Sequence, residues 1–258
     1  MVHIGTSGPR DDACMTTTPS VRDTHRAALA ALPPAEWTED LDAHSGLPGP
    51  RGNLELLDVV AETAPAAALR AWAGDADEYR ATVGAAGLGR LVAEGQLGDL
   101  ETLRSLAADG RWRVREGVAM ALQRLGDVDL ARMQAVADAW STGPPLVQRA
   151  AIAGECEPRL LRSLGAAAHA VALLDRVTRS LISVADRRSG DVRALRKALG
   201  YCWSVAVAAD PVAGFPALAA WASSTDADVR WVVRTNLRKA RLARADAEAT
   251  RRLAALLG

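Results

Sequence analysis

The residue types in this chain that can do chemistry are mostly cations. Twenty-nine arginines and two lysines, Lys197 and Lys239, supply its positive charge. Guanidinium forks recognise carboxylate and phosphate in plane and in pairs, so clustered arginine is a chemistry of anion recognition. A codon bias toward arginine and alanine produces the same excess with no ligand involved. The clusters are Arg111, Arg113 and Arg115; Arg193, Arg196 and Lys197; and Arg230, Arg234 and Arg238. Trp112 lies inside the first and Trp231 inside the third, which adds stacking and cation–π contact to what these stretches can offer. Covalent and metal chemistry have less to work with. Cys14, Cys156 and Cys202 form no CxxC or Cys/His pattern, and His3, His25, His44 and His169 are scattered without an HExxH pair. The thiols read as buried or incidental, and no disulfide framework, metal site or cofactor is expected. No catalytic residue can be assigned from these patterns.

The elements that position these residues are helices. Alanine and leucine dominate an apolar content of 49%, and β-branched runs are short. No window approaches the roughly 18 uninterrupted apolar residues of a membrane span, and the first residues lack a basic segment followed by an apolar one. A cytoplasmic protein with no membrane partner is expected. The formal net charge is zero, but residues 1–100 hold 15 acidic and 7 basic side chains while residues 101–258 hold 16 and 24. The chain is therefore electrically polar, with its cations toward the second part.

Residues 1–19, rich in Thr, Gly, Pro and Asp, read as a disordered tail in which Met15 is an alternative start; residues 20–258 read as one helical domain. Helices are expected from Ser20 to Leu32, from Ala35 to His44, from Leu54 to Thr63 behind an Asn53 cap, and from Pro65 to Trp72. The Ser45–Asn53 segment, with three glycines and two prolines in nine residues, is a connector and lacks a phosphate-cradle motif. Asp75–Gly95 is a longer run whose Gly84, Gly87 and Gly89 suit close helix packing. Asp99 is the expected cap of a helix with Leu100, Leu103 and Leu106 inward; Asp109-Gly110 turns the chain, and Arg111–Leu125 runs back. The segment from Leu164 through Val184 reads as a helix buried on most sides, with His169 as a satisfied interior residue. Asp226–Leu242 reads as one amphipathic helix: at about 100° per residue, Val229, Val232, Val233, Asn236, Leu237 and Ala240 share a face, and the arginines form a separate stripe. Ala245–Leu257 closes the chain.

Two of these stretches repeat. A shift of 115 residues superimposes Leu106 on Trp221, Val114 on Val229, Arg115 on Arg230, Val118 on Val233 and Leu122 on Leu237. Asp191-Val192-Arg193 precedes Asp228-Val229-Arg230 by 37 residues, and Val147 follows Val114 by 33. Asp, then Val-Arg, then spaced small and apolar residues resembles the second helix of a HEAT repeat, most clearly over residues 97–258. The resemblance implies an all-α fold, a right-handed α-solenoid of degenerate HEAT-like helical hairpins. In such stacks the second helices line the concave side, so the three basic clusters would form a continuous wall suited to an anionic polymer. It implies equally that the arginines bond to carboxylates of neighbouring repeats and rigidify the stack. The expected function is a non-catalytic, macromolecule-binding or scaffold module with a protein partner, nucleic acid being the other possibility. The alternative is an enzyme similar to the DNA alkylation repair family, whose bacterial glycosylases are built from HEAT-like repeats and use tryptophans and a carboxylate in a basic groove. That family's catalytic motif does not align here. Asp210 near Trp203 and Asp40 near Trp37 are the carboxylates to examine, although both read more simply as helix-end or surface aspartates.

Overall fold

The computed structural model describes residues 19–257. The expected tail therefore lies, up to residue 18 and including Cys14 and Met15, outside the described residues. Ser20 opens α1 (Val21–Ala31) with a capping box to Asp23, and Pro33 and Pro34 lead through a 3-10 turn into α2 (Trp37–His44). The Gly/Pro connector is closed by the Asn53 amide donating to the Ser45 carbonyl at 2.8 Å and pinned by the Tyr79 hydroxyl, which donates to the Asn53 carbonyl at 2.7 Å. Asn53 then caps α3 (Leu54–Thr63), Pro65 precedes α4 (Ala66–Ala73), and Asp77 caps α5 (Glu78–Ala93). There follow α6 (Asp99–Leu106), α7 (Trp112–Val128), α8 (Leu130–Trp140), α9 (Pro145–Glu155) and α10 (Leu164–Ser183). The chain ends with α11 (Gly190–Ala209), α12 (Pro211–Ala222), α13 (Ala227–Leu237), α14 (Ala240–Ala245) and α15 (Ala247–Ala255). The described residues are all-helical, without a strand, and no helix among them is long and apolar enough to cross a membrane.

Short connections pair α4 with α5, α6 with α7, α8 with α9, α10 with α11 and α12 with α13. Across the pairs, α5 packs on α7, α7 on α9, α9 on α11 and α11 on α13. One hydrophobic core follows this row from Leu29 to Leu257. Its register is marked by valine. Val114, Val147, Val192 and Val229 are each the third residue of α7, α9, α11 and α13, and each is buried. The arginine after the valine has a local task in two of these helices. Arg115 donates to the carbonyls of Asp109 and Gly110, and Arg193 to that of Arg188, so each guanidinium clamps the turn that leads into its own helix.

Glycines set how closely the helices approach. A Cβ on Gly84 would stand 2.2 Å from the Ala73 nitrogen of α4, and one on Gly89 would stand 2.2 Å from the Ala121 oxygen of α7. Real side-chain carbons do not approach backbone atoms so closely, so only glycine permits these crossings.

Three expectations need correction. Asp226–Leu242 is two helices: α13 ends at Leu237, Lys239 is extended (φ −79°, ψ 122°), and α14 restarts at Ala240. Asn236 is fixed by donating to the Leu199 carbonyl and accepting from the Ser204 amide, both on α11, and the bend after it brings Leu242 into the core while leaving Ala240 exposed. Second, Leu164–Ser183 buries one face only, through Ala170, Leu173, Leu174, Val177 and Leu181; Leu164 is 71% exposed. Its alanines raise apolarity without marking a side. Third, Asp99 is the first residue of α6 and does not cap it. Its carboxylate is held by Arg70 from α4, with both contacts at 2.9 Å. At the chain end, Asp246 caps α15.

Gly89→Ala should lower unfolding free energy by about 1–3 kcal/mol, the cost of forcing packed backbones apart. Gly165→Ala, where an added methyl meets open space within α10, should be neutral or slightly stabilising. Urea unfolding of both variants checks this, and equal effects would contradict the close-approach account.

Candidate functional site

The site grows from one face of α11. Arg193, Lys197 and Tyr201 follow each other at four-residue steps, with Arg196 beside them, while Val192, Leu195, Leu199 and Trp203 turn into the core. Gly200 leaves a flat place on this helix. The Trp231 indole of α13 fills it, and a Cβ on Gly200 would lie 2.9 Å from the ring. The Arg196 guanidinium stacks over Trp231, 4.8 Å from its centroid, and pairs with Asp228. Asp228 also takes Arg187 at 3.1 Å, and Arg187 in turn reaches Asp226 at 2.7 Å, so two arginines and two aspartates balance. Tyr201 is 44% exposed. Arg241 lies over its ring at 4.6 Å and donates to its hydroxyl at 2.9 Å, and the Lys239 ammonium stands 5.7 Å from the same ring.

These residues border three hollows that share lining residues. Between α11 and α13, a groove of about 590 Å³ is lined by Arg193, Arg196, Lys197, Tyr201, Trp231 and Lys239, with no carboxylate among its lining residues. Lys197 and Tyr201 also border a cleft of about 480 Å³ between α7, α9 and α11. Lys239 continues into a hollow of about 540 Å³ shared with Arg241 and Arg244. Both lysines of the chain thus line the groove between α11 and α13.

The ten residues expected to meet an anionic partner divide according to their neighbours. Arg193, Arg196, Lys197 and Trp231 come together in the groove. Arg111 pairs with Asp109 at 2.8 Å and donates to the carbonyls of Asp75 and Ala76; Arg113 pairs with Glu78 at 2.8 Å and stacks on Trp112 at 4.7 Å. Those two tie α7 to the start of α5. Arg115 lines the 480 Å³ cleft while clamping its turn. Arg230 and Arg234 both donate to the Leu257 carbonyl, at 2.7 and 2.9 Å, and so fasten the end of the chain. Arg238 is exposed. The kind of acceptor decides what charge survives: a carboxylate cancels a guanidinium, whereas a carbonyl satisfies its donors and leaves the charge in place. Arg193 keeps its charge in this way. Tyr201, Lys239 and Arg241 were not among the expected residues. The sequence signals for them are that Arg241 belongs to the arginine stripe of Asp226–Leu242 and that Lys239 is the second of only two lysines.

Groups suited to covalent or acid–base chemistry are committed elsewhere. Asp210 caps α12 through the Ala213 amide, and Asp40 lies beside His44 at 3.0 Å. Their neighbours Trp203 and Trp37 are buried, with indoles donating to Thr178 and to the Leu32 carbonyl. Cys156 and Cys202 are free, buried thiols at the edge of the cleft. Contact with the Cys202 thiol, then burial, pushes the Cys156 pKa well up, which keeps it protonated and unreactive.

His169 of α10 bridges two carboxylates, with Nδ1 2.6 Å from Glu155 of α9 and Nε2 3.2 Å from Asp138 of α8. Asp138 also accepts from Arg176 at 2.7 Å, and Gln134 donates to Glu155. Burial works against the imidazolium, but hydrogen bonds and charge from Glu155 and Asp138 outweigh it and raise the His169 pKa. Burial raises that of Glu155, only partly opposed by His169.

Comparison of the chain with protein-family models finds no match, and comparison with curated proteins finds none.

Because the pKa values of Glu155 and His169 are both raised, the folded state holds more protons than the unfolded chain, and stability falls as pH rises through the raised values. The His169 contribution is complete below its ordinary 6.5 and is lost as pH climbs through the folded value. His169→Gln should cost about 2–3 kcal/mol at pH 6 by leaving the buried Glu155 without its cationic partner. It should also remove the His169 share of the decline above pH 6.5, leaving that of Glu155, whose pKa rises further without the imidazolium. Chemical unfolding across pH measures both, and an unchanged slope in the variant would contradict this assignment.

Proposed function

We propose that the protein is a non-catalytic binding module: a right-handed α-solenoid of degenerate HEAT-like hairpins whose inner row, α5 to α13, offers a basic groove to an extended anionic partner. The observation that carries this reading is the gathering of Arg193, Lys197, Lys239 and Arg241 around Tyr201 and Trp231, in hollows with no carboxylate among their lining residues. A concave face walled by protein concentrates the field of such charges and draws in an oppositely charged chain. The architecture is supported by the successive packing of α5, α7, α9, α11 and α13 and by the buried valine repeated at the third position of four of them. Stacked helix pairs present extended binding surfaces of this kind. A protein segment bearing carboxylates is the preferred partner, with nucleic acid second. The glycosylase alternative finds less support, since Asp210 caps α12 and Asp40 is paired with His44. A cytoplasmic location is part of the reading, and the neighbouring free thiols of Cys156 and Cys202 suit it.

Fluorescence anisotropy with labelled polyglutamate and a labelled single-stranded oligonucleotide tests the reading. Binding is expected at low salt and should weaken about tenfold or more as salt is raised, because surface charges are then screened. Lys197→Glu with Lys239→Glu should abolish it. Arg230→Ala with Arg234→Ala should retain it while lowering the melting temperature, because those guanidiniums hold the Leu257 carbonyl. Failure of both polymers to bind at low salt would refute the proposal.

A further inference from the structure

The groove is not uniformly cationic, and the departure from uniformity carries information about the occupant. On the α7–α9 side of Tyr201, the 480 Å³ cleft is floored by Ala119 of α7, Ala153 of α9, and Ala194 and Ala198 of α11, with Met120 beside them. Three helices each present alanine where a leucine would fill the space. The cleft falls within the roughly 300–1,000 Å³ range of sites that bury an apolar group. Its rim carries Glu116, paired with Arg149, and Glu157, paired with Arg159 at 3.2 Å. Each carboxylate is cancelled by its arginine, so the uncancelled charge of this cleft is that of Arg115 and Lys197, and its alanines are left to an apolar side chain.

The aromatic rings argue the same way. Arg241 and Lys239 lie over Tyr201, Arg196 over Trp231 and Arg113 over Trp112. A nucleobase would compete with these cations for the ring faces. A carboxylate pairs with the ammonium or with the guanidinium edge while the stack stays intact.

Resting on the binding-module reading above, we infer that the groove takes an acidic peptide segment carrying one large apolar side chain. The acidic residues lie against Arg193, Lys197, Lys239 and Arg241, and the apolar side chain seats on the alanine floor across Tyr201. Lys197 and Tyr201 border both compartments, so adjacent stretches of one peptide reach both.

The probes are three short fluorescein-labelled chains: a glutamate-rich peptide with one central leucine, the same peptide with alanine in its place, and an oligothymidylate. The leucine peptide should bind the full-length protein about tenfold or more tightly than the alanine peptide, as burial of a leucine side chain requires. Ala198→Leu, which fills the floor, should erase that difference. Ala194→Leu, one turn earlier on the same floor, provides the same reading if Ala198→Leu fails to fold. Lys197→Glu with Lys239→Glu should weaken both peptides. Equal affinity for the leucine and alanine peptides overturns the inference while leaving the basic groove standing. Tightest binding by the oligothymidylate, unaffected by either alanine replacement, overturns it in favour of nucleic acid. If none of the three probes binds at low salt, the binding-module reading falls with it.

Discussion

The structure depends on near-contact between the backbones of successively packed helices. Where α5 crosses α4 and α7, the chain supplies Gly84 and Gly89, because a single added carbon at either would overlap a neighbouring main chain. Close approach lets short alanine-rich helices bury a continuous core, since small residues exclude water only when their helices nearly touch. The same device has a second use at Gly200. There the missing side chain admits the Trp231 ring, which carries Arg196, and the packing solution for α11 and α13 becomes part of the groove wall.

Arginine serves two ends, and acceptor chemistry separates them. Arg70 on Asp99, Arg113 on Glu78, Arg149 on Glu116 and Arg187 on the Asp226–Asp228 pair join one helix pair to the next. Such part-exposed pairs each stabilise modestly, but they fix how one pair sits on another. Arg193 and Arg241 are held by a carbonyl and a phenol, which orient them without neutralising them. Positive charge therefore survives over α11, α13 and α14, whereas over α7 Arg111 and Arg113 are cancelled by Asp109 and Glu78 and Arg115 keeps its charge. The charge asymmetry of the sequence points to the second part of the chain, and the groove between α11 and α13 gathers part of it.

Much of the local structure was legible from residue types and spacing. Asn53 caps a helix as expected, Gly84 and Gly89 lie at crossings, and the Val-Arg dipeptides lie in the first turns of α7, α11 and α13. Those features are set within a few residues of chain. The site was less legible because its members come from three helices. Periodicity treats one helix at a time and placed Arg230, Arg234, Arg238 and Arg241 in a single stripe, whereas the first two meet a carbonyl contributed by Leu257. Tyr201 gave no signal, since nothing near it in sequence is Lys239 or Arg241. The bend that brings those two residues to it is imposed by Asn236 on α11, and the helical pattern from Asp226 to Leu242 runs straight across it. Alanine misled along Leu164–Ser183 for a related reason, because it is at home on either side of a helix.

The scarcity of lysine permits a direct measurement on the unaltered protein. Lys197 and Lys239 are the only lysines in the chain and both line the groove, so an amine-selective acylating reagent read by peptide mass spectrometry reports on that surface. In the free protein both should react. With the leucine-bearing acidic peptide at saturation, both should be protected together, to the same extent and over the same concentration range as binding itself. A saturated complex in which Lys197 and Lys239 react as fast as in the free protein would place the partner elsewhere and contradict the account.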